Sequence, residues 1–190
     1  MYQNLFDHIK KYVSLTSTDE GIIASALDCR TLKNKEFVLE EGQICSANYF
    51  VANGCLRMFE INSNGADQIL QFGIDNWWIT DYNSLDFQRP SKLNIQAVQS
   101  STVIVLPNKI QDELFQKIPA LERYFRLILQ RAYSASQLRV HYIFNQSGEE
   151  RYRHFSSSFP DFVQRVPQYM LASYLGFTPE FLSKIRGKKE

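Results

Sequence analysis

The residues best equipped for chemistry stand near the end of the chain, in Gln168-Tyr-Met-Leu-Ala172-Ser-Tyr-Leu-Gly176-Phe-Thr178-Pro179-Glu-Phe-Leu182-Ser183-Lys184-Ile185. This stretch reads as two short helices joined by a tight turn. Ala172 is small where the helices must cross closely, and Gly176 can take positive φ just past the first of them. Thr178 can cap the second helix through its hydroxyl, and Pro179 fits its first turn, where no amide donor is needed. Leu171, Leu175, Leu182 and Ile185 then fall on facing apolar stripes. Glu180, Ser183, Lys184 and Gly187 share the opposite face, free to meet a ligand. Such an arrangement places a helix in the major groove of DNA; a helical hairpin that merely closes a small core would read the same way.

Other chemistries find less material. His8, His141 and His154 lie outside the strand-rich segment, so a barrel of clustered metal-binding histidines is not expected. Cys29, Cys45 and Cys55 are odd in number and lack CxxC spacing, which predicts a reduced, cytoplasmic protein without disulfides or a cysteine-held metal. There is no Gly-rich phosphate loop, no Gly-x-Ser-x-Gly and no carboxylate pair with an active-site context, so neither enzyme activity nor a cofactor is expected. The first ten residues carry charges where a signal peptide needs an apolar run. The longest uncharged stretch, Leu93 to Asn108, is too short and polar to span a bilayer. Charge is uneven: residues 151–190 hold seven Lys and Arg against three Asp and Glu, while residues 1–150 hold fourteen against seventeen. A basic segment on an acidic body suits a phosphate-facing module, and equally a solvated helix end.

The elements around these residues change texture twice. Leu5, Phe6, Ile9 and Val13 recur at helical spacing, and Ser17-Thr-Asp-Glu20 fits a capping box opening a second helix through Leu27. From Glu36 to Leu106 short apolar runs alternate with turns: Phe37–Leu39, Tyr49–Val51, Leu56–Ile61, Gln68–Phe72, Leu93–Val98 and Thr102–Leu106. Gly42, Gly54 and Gly65 punctuate them, and Asn62-Ser-Asn-Gly65 marks a hairpin, so an antiparallel barrel or sandwich is predicted. After Pro107 helix returns. Pro119 opens a long helix to about Phe144, whose Leu121, Phe125, Ile128, Ala132, Ala135, Leu138 and Tyr142 keep a near-heptad spacing. That row suits a partner helix or the chain's own barrel. A helix from Glu149 to about Ser157 follows, and Phe159–Phe162 reads as a connector into the hairpin.

This order of elements resembles the cyclic-AMP-receptor/fumarate-nitrate-regulator (CRP/FNR) superfamily of bacterial transcription factors, over nearly the whole chain. Gly42, Gly54-Cys-Leu-Arg-Met-Phe59 and Gly65 look like the family's β-roll glycines and a following strand. Ala172, Gly176, Leu182 and Ile185 match its helix-turn-helix. The run Trp77-Trp78-Ile-Thr-Asp81-Tyr82, with Glu149-Glu-Arg151-Tyr152 and Ala172-Ser-Tyr-Leu-Gly176, looks like a branch common in Bacteroidetes. The resemblance implies an α+β fold: an antiparallel double-stranded β-helix (β-roll or jelly roll) flanked by helices as a sensor over 1–117, a dimerisation helix over 118–146, and a small helix-turn-helix domain over 147–190. It further implies a cytoplasmic homodimer reading a palindromic operator in double-stranded DNA. Carried onto this chain, Pro179 to about Gly187 is the recognition helix. Glu180 would accept from a cytosine amino group, Lys184 would donate to guanine, and Ser183 is adaptable. Gln168, Thr178, Arg186, Lys188 and Lys189 would contact phosphates.

Two departures from the family follow. Only Phe159 to Val166 precedes the motif and the sequence given ends at Glu190, so a full β-hairpin wing is not expected; binding would then lean on dimerisation. Cyclic-nucleotide binders of the family use Gly-Glu for the ribose and Arg followed by Ser/Thr-Ala for the phosphate. Here the segments read Asp75-Asn-Trp-Trp-Ile-Thr-Asp81-Tyr-Asn-Ser and Phe87-Gln-Arg89-Pro90-Ser91-Lys92-Leu. Cyclic AMP is therefore not expected. Another small-molecule effector, held by Trp78, Asp81, Tyr82, Arg89 and Ser91, is the alternative, although both tryptophans read more readily as core. Haem or iron–sulfur sensing, known in relatives, lacks suitably spaced cysteines. The competing class is a ligand-binding or protein-interaction β-roll with a degenerate DNA reader.

Overall fold

In the computed structural model residues 1–187 are described, and Lys188 and Lys189 lie outside the described residues. The chain opens on α1 (Gln3–Lys10) and α2 (Ser17–Ser25). Leu5, Phe6 and Ile9 bury one face of α1. The capping box of α2 sits one residue earlier than expected, because Thr16 and Asp19 exchange the reciprocal bonds instead of Ser17 and Glu20.

Eight strands follow: β1 (Asp28–Leu32), β2 (Phe37–Leu39), β3 (Ala47–Asn53), β4 (Cys55–Ile61), β5 (Asp67–Ile74), β6 (Trp77–Ile79), β7 (Asn94–Ala97) and β8 (Ser101–Pro107), with a short helix α3 (Tyr82–Phe87) between β6 and β7. They form two four-stranded antiparallel sheets, ordered β1-β8-β3-β6 and β2-β7-β4-β5. The β-roll is thus the expected double layer. Two of its strands were not expected. β1 is polar and mostly exposed, so it carries no apolar alternation, and β6 is a three-residue edge inside an aromatic run. Between β3 and β4 Gly54 sits at φ +117°, where a β-carbon would collide with the Ser101 side chain.

Both sheets are covered on both faces, which explains why β3 and β4 read as near-continuous apolar runs. From β3, Tyr49 and Val51 point into the roll interior with Leu56 and Met58 of β4, Ile95 and Val103. Phe50 and Ala52 point the other way, into a helical layer. That layer contains α1, α2, α4 (Asn108–Lys117) and the first half of α5 (Pro119–Asn145), contributing Leu5, Ile9, Leu114, Leu121, Tyr124 and Phe125. The outer face of the second sheet presents Cys55, Phe59, Ile69 and Phe72 to the C-terminal helices. Each such fully buried apolar side chain contributes roughly 1.5–3 kcal/mol.

The expected row on α5 divides. Leu121 and Phe125 are buried and Ile128 half-buried against the body, while Ala132, Ala135 and Leu138 are exposed. A second row, one residue further round the helix, faces outward: Leu129, Tyr133, Ser136, Val140 and Ile143, again in alternating steps of four and three. Two rows exist because the first half of α5 packs on its own sheet and the second half leaves it. Beyond α5 come α6 (Gly148–Ser158), α7 (Pro160–Arg165), α8 (Gln168–Leu175) and α9 (Pro179–Gly187). α7 replaces the expected connector, since Pro160 takes the first helical position, where its missing amide costs nothing. Among the described residues no strand follows Pro107.

Candidate nucleic-acid interface

The hairpin α8–α9 is built from its turn. α8 ends in a Schellman arrangement: the Gly176 amide donates to Ser173 O at 3.1 Å and the Phe177 amide to Ala172 O at 2.9 Å, with Gly176 at φ +78°. Thr178 then opens α9, its hydroxyl accepting from the Phe181 amide at 3.2 Å. Ala172 is fully buried, so the two helix backbones approach with no side-chain bulk between them. Leu171 and Leu175 of α8 share a core with Leu182 of α9, and Ile185 of α9 is buried as well.

The outer face of α9 is open. Glu180, Ser183, Lys184, Arg186 and Gly187 are exposed, as are Thr178 and Pro179 at its start. The Glu180 carboxyl is held below its ordinary range by its own backbone amide and by the Thr178 hydroxyl, so it stands as a carboxylate, an acceptor only. Gln168 is half-buried and turned back, its amide donating to Val163 O at 3.3 Å. Together these groups make a narrow polar ridge with a carboxylate, a hydroxyl and cations, the mixture that reads base edges and phosphates.

Of the residues singled out for a small molecule, Asp81 and Ser91 are brought together by a direct hydrogen bond, and the side chains of Trp78, Tyr82 and Arg89 engage elsewhere. Trp78 is buried beside Phe50 and Phe125, its indole N–H donating to the Tyr124 hydroxyl at 2.8 Å. Asp81 caps α3: Oδ1 accepts from the Asn83 and Ser84 amides at 3.1 and 3.2 Å, and Oδ2 from the Ser91 hydroxyl at 2.7 Å. Arg89 is exposed, with its guanidinium over the Phe87 ring. Tyr82 lies apart, lining an open groove of about 470 Å³ with Asn48, Phe115, Phe125, Leu129 and Tyr133. Among the described residues no group of three or more His, Cys, Asp or Glu could hold a metal, and no helix is long and apolar enough to cross a membrane.

Three residues outside the sequence-based set join the C-terminal helices to the β-roll. Ser173 of α8 bonds to β5, its hydroxyl donating to Asp67 O at 2.8 Å and accepting from the Ile69 amide at 2.9 Å. Arg139 of α5 donates to Leu70 O, and to Tyr174 O at 2.8 Å. Arg165 of α7 donates to Asp75 Oδ2 at 2.6 Å and Gly54 O at 2.7 Å. Burial pushes the Asp75 carboxyl up, but Arg165 and the Gly54 amide outweigh it, and the net shift is downward. One sequence signal pointed this way. Gln68-Ile-Leu-Gln-Phe72 is apolar on both parities, so a strand there needs cover on both faces.

Residues 29–117 match the family model for the cyclic nucleotide-binding domain. The chain is 24% identical over 169 residues to the transcriptional activator protein Anr of Pseudomonas protegens, covering 82% of this chain and 68% of that one. It is 22% identical over 170 residues to the anaerobic regulatory protein of Pasteurella multocida, covering 84% and 62%. Its fold is similar to that of CLP, a c-di-GMP responsive global regulator of Xanthomonas campestris, with a TM-score of 0.72 at 12% identity over 90% of this chain and 89% of that one. FixK2 of Bradyrhizobium japonicum gives a TM-score of 0.68 at 14% identity over 84% and 82%. The chain thus spans about two thirds of the length of the curated relatives it matches.

Proposed function

We propose that this CRP/FNR-type chain is a DNA-binding transcription regulator, a cytoplasmic homodimer without catalytic activity that reads a palindromic operator. The observation carrying the reading is the closed turn of α8–α9, which presents a polar face of α9 outward while both helices anchor in the body. In this reading Lys184 and Glu180 meet base edges, Ser183 adapts, and Thr178, Pro179 and Arg186 lie along the backbone. Gln168 is a phosphate contact once it releases Val163, and Lys188 and Lys189 extend the basic end. The division into a sensor over 1–117, a dimerisation helix over 118–146 and a reader over 147–190 follows the same assignment, as does the Bacteroidetes-type branch.

The outward row on α5 supports the dimer. Leu129, Tyr133, Val140 and Ile143 are large apolar groups at coiled-coil spacing, and the groove beside Tyr82 and Phe115 continues that row. We assign both to the helix of a second copy. The Asp81 cap supports a roll that does not take cyclic AMP. The α3 amides that would receive a phosphate already hold a carboxylate, and a second anion there would face like charge.

The test is binding of purified protein to genomic DNA fragments, with Lys184→Ala and Glu180→Ala alongside. Saturable, sequence-dependent binding lost in the variants supports the reading. Absence of binding even at low salt contradicts it and favours a β-roll module with a degenerate reader.

A further inference from the structure

The reader is held to the body through the outer edge of β5. An edge strand leaves a row of unpaired carbonyls and amides, and an unpaired buried group is costly. Here one hydroxyl, that of Ser173, serves Asp67 O and the Ile69 amide together, the two positions one residue of a neighbouring strand would fill. Gln68 returns a bond from its side chain to Ser173 O at 3.0 Å. Further along, Phe59 pairs with Ile69 and Met58 with Gln71, so Leu70 is the extra residue of a bulge and has no strand partner. Arg139 fills that gap. Its guanidinium bridges Leu70 O on the sheet and Tyr174 O on α8, with its carbon 4.1 Å from the centre of the Tyr174 ring.

Arg139 therefore touches three bodies at once: α5, which carries it, the β5 bulge, and the first helix of the reader. Of its exposed neighbours on α5, Val140 belongs to the row assigned to the second copy and Leu138 lies beside it. Behind it, Cys55, Phe59, Ile69 and Phe72 of the roll share one core with Met170, Leu171, Ala172, Leu175 and Leu182. Releasing the hairpin would expose both halves of that core to water. The outer face of α9 is meanwhile fully open in the docked arrangement, so docking does not cover the reading surface.

We propose that Arg139 is a positioning residue, which with Ser173 locks the helix-turn-helix at one angle to α5. The separation of the two recognition helices is then set by how the α5 pair docks. The inference rests on the DNA-reading dimer proposed above, and it makes half-site spacing a property of this lock.

Cys55 offers a readout that needs no DNA. Its thiol is fully buried between sheet and reader, and burial pushes its pKa up to about 12, so it reacts only when the reader lifts away. Cys45, fully buried inside the roll, reports global unfolding. Iodoacetamide labelling followed by peptide mass spectrometry is expected to show Cys55 reacting about tenfold faster in Arg139→Gln, with Cys45 unchanged. Ser173→Ala should act in the same direction and serves if the first variant fails to fold. An unchanged Cys55 rate, or an equal rise at Cys45, overturns the lock.

The second arm uses a palindromic duplex selected by the wild-type protein from random sequence, with half-site spacing stepped by single base pairs. The wild type should lose at least about tenfold in affinity per step, and Arg139→Gln less than about threefold. Undiminished spacing dependence in the variant, or tighter binding by it at every spacing, overturns the positioning role. If the wild type selects no duplex, the DNA-reading proposal fails by itself and the thiol labelling decides the lock.

Discussion

Lys184 and Glu180 carry opposite charges on one face of α9, which separates base reading from simple attraction to phosphate. A cation that only neutralised phosphates would weaken all sequences alike when removed. A base-reading pair should instead lose discrimination, by about 1–3 kcal/mol for each good contact. Measured by anisotropy, Lys184→Ala should reduce binding to a selected duplex far more than to a scrambled one. Gly176 governs whether that face exists at all. At φ +78° any side chain is strained, so Gly176→Val should lower unfolding stability by about 1–2 kcal/mol in denaturant melts. His8 is informative about the helical layer. Its Nδ1 lies 2.8 Å from the Tyr124 hydroxyl, which accepts from Trp78, so that hydroxyl's proton goes to an unprotonated ring nitrogen. Burial first, then Lys11 and Arg131, lowers its pKa from 6.5 to about 4. The native state thus resists a proton that the unfolded chain accepts. This contribution is whole above about pH 6.5, falls as pH drops, and levels off below about 4. Melting temperature against pH should show that slope in the wild type and a flatter one in His8→Gln.

At the scale of elements, legibility in sequence followed locality. The turn Gly176-Phe-Thr178-Pro179 announces itself because its φ requirement and its cap lie within three residues. Six of the eight strands showed as apolar runs for a similar reason. β1 was missed because Asp28-Cys-Arg-Thr-Leu32 buries almost nothing, and α7 because Phe159-Pro160 looks like a break when it is a start. The row on α5 left open what it meets, since periodicity identifies rows without saying which part of one packs on the body: Leu121 and Phe125 do, and Ala132, Ala135 and Leu138 are exposed. Ser173, Arg139 and Arg165 did not stand out by themselves, because their partners lie 35 to 111 residues away and are mostly backbone carbonyls. The outward row carries its own prediction. Tyr133, 67% exposed in a single copy, stands in one row with Leu129, Val140 and Ile143, a continuous apolar strip that a second helix would cover. Tyr133→Glu together with Val140→Glu should convert a dimer into a monomer by analytical ultracentrifugation, leaving the circular dichroism of the fold intact.

Across the whole molecule, four layers stack from helices through two sheets to the reader, with apolar cores between helices and sheet, between the sheets, and between sheet and reader. The reader completes its core with side chains of the second sheet, so sensor and reader are expected to melt together in one cooperative transition. Asp81 already holds the first amides of α3, and in the proposed function no cyclic phosphate sits on them. The α5 row and the β5 edge are the surfaces best connected to the reader. All of this presumes that α9 meets DNA as one of a pair. The most direct measurement is a stoichiometric titration of a selected palindromic duplex at near-physiological salt, in excess non-specific competitor. The account predicts saturation at two chains per duplex, and loss of that complex in Lys184→Ala. Binding that the competitor removes entirely, or saturation at one chain per duplex, would contradict it.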